Sequence, residues 1–498
     1  MSIAQTAPLN GAPPLVAVAQ QLSYNSFAVI GFVELIVGLA AVLAADFLHI
    51  FSLLTVVAGC LGPIVLACCL IRATEVKVYD LFSGALAFGY GTGSLYSLVS
   101  YLAEHRDLVS GDDISQYWYA RTLGLVVAAC GALHLLGRLD LGGLLLRQTN
   151  FVQAEGRRAL VMAVVMLGIY IVYVKTGKIG FDSNIATDAA DEASVSPVAA
   201  VLVAVITPIG GLALSIALTV REVRNRWWLM ALAGMLLLVQ IPAGRRVFAF
   251  AAITYALAIL VAKRPRNLFS FRNLVLMGVA TMVLHVGTTF FYAMRLAAWS
   301  HPHARVSTLQ LIPEALDIYL GGHRTMDLQA AVAKNVQNRS FILDYLKELA
   351  AGEARSGPLY GQDALRAVVT ATPSIIFPGK HKSHWFGSEE PLINPPLGLP
   401  VWDAPNSIFT AGVADFGTVG IFLYPLLLCF ILARIVDWAH ERASRPAAML
   451  ISLYVCDQLL SVECDIATYA AMIRMVLVIV LVAWLFFRRL PTAQMAVA

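Results

Sequence analysis

Apolar residues in this chain gather into long uninterrupted runs separated by short polar connections. About twelve of these runs are long enough to cross roughly 30 Å of hydrocarbon. They cover residues 27–45, 48–71, 81–102, 117–136, 159–174, 197–220, 227–241, 247–262, 274–299, 407–435, 447–462 and 468–487. Backbone amides inside lipid must be satisfied within the segment, and runs this continuous lack the alternation of barrel strands. The pattern predicts an all-α fold: a polytopic membrane helix bundle of about twelve transmembrane helices. One connection breaks the rhythm. Residues 300–405, between the ninth and tenth runs, form a region far longer than an ordinary loop, and loops of that length are usually functional. Within it, residues 311–320, 327–336 and 340–351 have helical patterning, and 373–405 is a Pro/Gly-rich coil. The chain thus divides into 1–299 with helices one to nine, the loop region 300–405, and 406–498 with helices ten to twelve and a tail.

Charge gives the bundle a predicted orientation. Alternate connections carry Arg72 and Lys77, Arg138 to Arg158, Arg221 to Arg226, Lys263 to Arg272, Arg434 to Arg445, and finally Arg488 and Arg489. Basic short loops stay cytoplasmic, so both termini are expected inside and the 300–405 region outside. The opposite connections hold Asp46, the acidic 104–113 and 182–192 segments, and Glu463 and Asp465.

Composition agrees: 59% of the 498 residues are hydrophobic and only 13% charged, with a mean hydropathy of +0.74. That is too little charge to clothe a water-soluble domain. A formal charge of +4 gives no nucleic-acid footprint, so no nucleic-acid partner is expected. Seven cysteines without CxxC spacing indicate neither a metal site nor a disulfide framework. The first residues have no basic n-region or cleavage-type sequence, so they are read as retained.

Several polar residues fall in the wrong places. Arg245 and Arg246 occupy the tight outer turn between the seventh and eighth runs, and Arg295 lies one turn inside the outer end of the ninth. Guanidinium groups there either snorkel to lipid phosphates or grip an anion such as pyrophosphate. His323 and Arg324, and the stretch from Lys380 through His381, His384 and Trp385 to Glu389 and Glu390, crowd the outer loop. Their spacing fits no standard metal pattern, so no metal and no other cofactor is expected. Trp385 and Trp402 suit either sugar stacking or anchoring at the membrane interface. Glu34, Asp415, Asp457 and Arg474 are intramembrane ionisable residues, and an Asp457–Arg474 ion pair is the favoured reading of the last two.

The return from the loop into the tenth run reads Pro405-Asn-Ser-Ile-Phe-Thr-Ala-Gly-Val-Ala-Asp-Phe-Gly-Thr-Val-Gly. A proline-rich loop end, then a polar Asn406-Ser407 step and an Asp415-Phe416-Gly417-x-x-Gly420 helix start, resembles the O-antigen polymerase and ligase superfamily. The arginine-bearing turn from Gly244 to Arg246 and the large late loop are similar to that family's layout. In the ligase branch a histidine stands where this chain has Asn406, with Ser407, Gly417 and Gly420 in register, so the resemblance favours the repeat-unit polymerase branch.

That resemblance implies a glycosyltransferase of the bacterial inner membrane, with its large loop in the periplasm. It would join undecaprenyl-pyrophosphate-linked oligosaccharide repeat units at the outer leaflet. Pyrophosphate is a good leaving group, so the protein needs mainly charge stabilisation and alignment. Arg245, Arg246, Arg295 and Arg324 are the expected pyrophosphate ligands. The acceptor's base is sought, in order of preference, among His384, Asp403, Glu389 and His323. Expected partners are the lipid-linked glycans, membrane lipids and a chain-length regulator protein. The rival from another class is a secondary transporter or flippase, opposed by the absence of an internal repeat and by polar anomalies at the outer face rather than the midplane. A related glycan ligase or a polyprenyl-phosphate-sugar glycosyltransferase is the near neighbour.

Overall fold

The computed structural model describes residues 14–48, parts of 61–69, 75–103, 113–139, 141–147, 149, 151–176, 197–220, 226–241, 245–263, 271–299, 308–321, 341–401 and 405–487. In chain order the helices are α1 Pro14–Leu48, α2 Val78–Ala103, α3 Asp113–Leu136, α4 Gln153–Lys175, α5 Pro197–Thr219, α6 Arg226–Leu238, α7 Arg245–Lys263 and α8 Phe271–Trp299. The loop region holds α9 Thr308–Tyr319, α10 Phe341–Ser356, α11 Gln362–Ala371 and the single turn α12 Glu390–Ile393. The chain then enters α13 Ile408–Arg442, α14 Arg445–Leu459 and α15 Ile466–Phe487. Among the described residues there is no strand, only an isolated bridge between Lys77 and Leu144.

Among the described residues, six segments are long and apolar enough to cross a membrane: Phe27–Asp46, Tyr117–Leu136, Gln153–Lys175, Val201–Thr219, Ile408–Arg442 and Ile466–Phe487. The chain is therefore an all-α, multi-pass membrane bundle. Most of the second predicted run, 48–71, lies outside the described residues. On α1 the exposed positions Val29, Phe32, Val33, Ile36 and Leu43 are all apolar. They recur at helical spacing, as expected of a face solvated by hydrocarbon rather than by water.

The bundle interior uses small residues to bring backbones together. A Cβ at Gly124 would stand 2.8 Å from the Gly38 carbonyl oxygen, and one at Gly131 2.5 Å from Leu35 N, so α1 and α3 touch through glycine surfaces. Glu34 of α1 is fully buried there, 3.6 Å from His134 Nε2. His134 Nδ1 lies 3.1 Å from Asp80 Oδ1, and Asp80 also pairs with Arg138. The predicted lone intramembrane glutamate thus belongs to a four-residue polar chain crossing α1, α2 and α3.

The predicted Asp457–Arg474 pair does not form. Arg474 Nη1 donates to the Ala371 carbonyl at 2.6 Å, while Asp457 accepts only a long bond from its neighbour Gln458. Arg474 prefers a helix end because the unpaired carbonyls of α11 are fixed acceptors at the dipole's negative pole. The loop region differs from its prediction at one element. Helix α11 was not legible as a helix docked on the bundle, because it buries Asp363 and Arg366 while exposing Leu365 and Val368. Residues 327–336, read as helical, lie outside the described residues.

The α1–α3 contact yields a direct test. Gly124→Val places two methyl groups against the α1 backbone, and overpacking of this kind costs about 1–3 kcal/mol. The variant should unfold at lower temperature in detergent than the parent, whereas Gly168→Val, whose Cβ meets nothing within 4 Å, should leave the midpoint unchanged.

Candidate functional site

The site is built around a break in α13. Ser407 caps its start: the Oγ accepts from Phe409 N and Thr410 N, and Thr410 Oγ1 accepts from Ser407 N at 2.7 Å. Tyr90 of α2 adds a hydrogen bond between its hydroxyl and Ser407 Oγ. Eight residues later the helix stops, because Phe416 (φ −139, ψ 18) and Gly417 (φ 56, ψ −142) leave helical space. The Gly417 conformation is one that residues with a Cβ avoid. In a continuous helix residues 412 and 420 would stand about 12 Å apart. Here a Cβ on either glycine would overlap the other's carbonyl, so the chain folds back and the two helical stretches lie side by side. The Asp-Phe-Gly-x-x-Gly stretch is thus a reversal, and the long apolar part of α13 begins after Gly417 rather than at Ser407.

Asp415, the last residue before the break, is fully buried and is spent on α11. Its two carboxylate oxygens accept from Asp363 N and Ala364 N, each at 2.9 Å, and Tyr424 donates its hydroxyl to the same group. A carboxylate on the first N–H groups of a helix satisfies orphan donors and opposes the dipole's positive end. The other end of α11 meets cations: Arg474 on Ala371 O, and Lys380 Nζ on Thr370 O at 2.7 Å and Thr372 O at 2.6 Å. Burial, with Arg474 nearby, lowers the Lys380 ammonium below its ordinary value.

Between these ends Arg366 is buried in a knot of acids. Its Nε donates to Asp363 Oδ1 at 2.6 Å, and its Nη2 reaches Glu389 Oε2 at 3.3 Å and Asp465 Oδ2 at 3.1 Å, while Nη1 donates to Gly387 O at 2.8 Å. Three carboxylates thus share one guanidinium. Asp363 Oδ2 and Glu389 Oε1 are buried without a partner. Burial, and next the charge of Asp363, push the Glu389 carboxyl well above the ordinary carboxylate range, with Arg366 opposing the rise. Next to the knot, Asn406 Nδ2 donates to Glu390 Oε1 at 2.6 Å, and Asn394 joins the Tyr345 hydroxyl at 2.7 Å to the Pro400 carbonyl at 2.9 Å.

The expected site residues separate accordingly. Ser407, Asp415, Gly417 and Gly420 form the reversal, with Asn406 beside it and Glu389 in the acid knot. Glu389 is only 1% exposed and serves Arg366. His384 is exposed, its ring 4.4 Å from that of Trp385, and it stands outside the knot. Arg245 and Arg246 open α7, and Arg295 lies in the last two turns of α8. Asp403, His323 and Arg324 lie outside the described residues.

Sequence reading missed Asp363, Arg366 and Asp465 as one cluster, since nothing in the sequence joins the Asp363–Arg366 pair to Asp465, 99 residues beyond Arg366. It also missed Arg121, an arginine one turn inside a predicted span, which the out-of-place criterion would have found. No family model, no curated protein and no solved structure matches the chain.

Two outcomes follow from the acid knot. Arg366→Ala strands three carboxylates, and breaking a buried pair costs about 3–5 kcal/mol, so the thermal midpoint should fall steeply at pH 8. Glu389 binds its proton more tightly folded than unfolded, so its contribution is fully present below the unfolded value of about 4 and is lost as pH rises through the higher folded value. Thermal melts should therefore show higher stability at pH 5 than at pH 8, with a shallower slope in Glu389→Gln. A steeper slope in that variant would refute the upward shift.

Proposed function

We propose that the chain joins polyprenyl-diphosphate-linked oligosaccharide repeat units, with pyrophosphate as leaving group and no metal. In this reading twelve crossings place both termini in the cytoplasm of a bacterial cell and the 300–405 region in the periplasm. The observation that carries it is the start of α7. Arg245 and Arg246 are its first residues, and its first turn holds no acidic residue. Cations at a helix N-terminus oppose the macrodipole, and a bound anion reverses that cost, since orphan N–H groups and guanidinium groups then bind the same phosphate oxygens.

Arg295 supports the same anion. Phe248 of α7 packs on Gly287 of α8, where a Cβ would be 2.5 Å from the ring. From that crossing Arg245 is three residues and Arg295 eight residues along the two helices. At 1.5 Å per residue in an antiparallel pair they differ in height by about 7–8 Å, at the same end of the bundle. Pyrophosphate leaves well once its charge is held, so the chemistry asks for arginines and for a rigid shelf on which two amphiphilic substrates align. The loop helices bolted to α13 and α15 supply such a shelf. Arg324 is a fourth proposed ligand, the lipid-linked glycans and membrane lipids are the proposed partners, and a chain-length regulator would bind at the same end.

The test is glycan elongation by the full chain in proteoliposomes, supplied with the radiolabelled undecaprenyl-diphosphate-linked oligosaccharide pool extracted from cells deleted for its gene. A ladder of longer glycans is expected from the parent. Arg245→Ala and Arg295→Ala should each lower the rate by about 10²-fold, as removal of one charge-stabilising donor does. Transfer of unlengthened lipid-linked units across the bilayer, without a ladder, would instead identify a flippase and overturn the reading.

A further inference from the structure

An unassigned group of side chains surrounds the reversal in α13. Glu353, in the last turn of α10, lies directly over Gly417: a Cβ there would stand 2.5 Å from Glu353 Oε1. Its carboxylate is partly exposed and, among the described residues, accepts no hydrogen bond and forms no ion pair. A cation whose charge acts on it is Arg121 of α3, whose Nε is 3.4 Å from Asp46 Oδ1 and whose guanidinium lies 5.4 Å over the Trp118 ring. Asp46 also accepts from the Tyr117 hydroxyl at 2.9 Å. Partial burial raises the Glu353 carboxyl above its ordinary value, and Arg121 opposes the rise. A carboxylate so placed is a stronger proton acceptor than one in open water.

Two aromatic residues belong to the same reversal. Tyr360 is the one non-glycine residue with positive φ among those described, at 54°, and it is 79% exposed. A bulky residue in that region stores strain, which persists where the surroundings impose it. Two backbone contacts impose it: Leu359 N donates to Ala414 O at 2.8 Å and Tyr360 N to Asp415 O at 2.9 Å, clamping the turn to the residues just before the break. Phe416, 37% exposed, packs over Gly361, where a Cβ would be 3.6 Å from the ring. Aromatic faces beside an unpaired carboxylate match a pyranose, whose C–H face stacks while its hydroxyls seek acceptors.

We infer that Glu353, Tyr360 and Phe416 form the subsite for the acceptor sugar, with Glu353 as the catalytic base. The inference rests on the glycosyl-transfer reading and gives it the base that the sequence did not identify. The Glu353 carboxylate takes the proton from the acceptor hydroxyl as that oxygen's electron pair forms the bond to the donor's anomeric carbon. The bond from that carbon to the diphosphate oxygen breaks, its electrons leaving with the polyprenyl diphosphate, and the anomeric centre inverts. Tyr360 and Phe416 hold the sugar ring so that the hydroxyl faces Glu353.

The same proteoliposome assay separates this inference from the reading beneath it. With elongation by the parent established, Glu353→Gln should lower kcat by about 10²–10⁴-fold with the acceptor KM nearly unchanged, as loss of a base does. Tyr360→Ala should raise the acceptor KM by about tenfold with a smaller effect on kcat, the scale of one lost aromatic contact. Thermal midpoints equal to the parent's confirm that both variants are folded. Parent elongation with an unchanged Glu353→Gln kcat overturns the base while the glycan-joining reading stands. A parent that does not elongate removes both.

Discussion

A helix end packed against other protein must meet its unpaired amides and carbonyls with protein groups wherever water is excluded. In this chain α11 solves the problem with charges borrowed from the bundle. Asp415 of α13 takes the first amides, Arg474 of α15 takes a last carbonyl, and Lys380 takes two more. Arg366 turns its flank inward onto Asp363, Glu389 and Asp465. Each of these groups would cost several kcal/mol if buried alone. Together they fix a short polar helix against a membrane bundle in one register, and the geometry near the break in α13 descends from that attachment.

The break itself follows from the same economy of space. Asp415 points at α11 because the chain reverses at Phe416 and Gly417, and the reversal is tight because Gly412 and Gly420 have no side chains to separate the two helical stretches. Placing Glu353 over Gly417 and Tyr360 beside Phe416 is then a consequence of how α10 and α11 are tied to the reversal. At the same end of the bundle, in the proposed orientation, the arginines that open α7 and close α8 offer positive charge. Rigid acid and aromatic groups on one part and guanidinium groups on another suit a reaction that needs alignment and anion stabilisation more than bond-making help.

The bundle was legible because lipid imposes a simple rule, and long apolar runs satisfy it. Asn406, Ser407, Asp415, Gly417 and Gly420 stood out as a pattern, and all sit at one junction. Their role was not legible: Asp415 looked like a site residue, and it is a helix cap. The reason is that a cap is defined by the helix it meets, and α11 hides its identity by burying Asp363 and Arg366 behind exposed Leu365 and Val368. Arg366, Glu389 and Asp465 come from three separate segments, so no spacing could join them. Glu389 drew notice as a loop acid, yet burial against Arg366 gives it a structural task and leaves the less conspicuous Glu353 partly exposed at the reversal.

Under the proposed function the attachment of α11 to Asp415 links the fold to glycan elongation, and one experiment reads both. Hydrogen exchange at the amides of Asp363 and Ala364 in Asp415→Asn, followed on the same proteoliposomes that are assayed for glycan elongation, measures the cap and the reaction together. Faster exchange at those two amides with a matching fall in elongation is the predicted result. Full elongation by a variant whose α11 amides exchange freely would contradict the account.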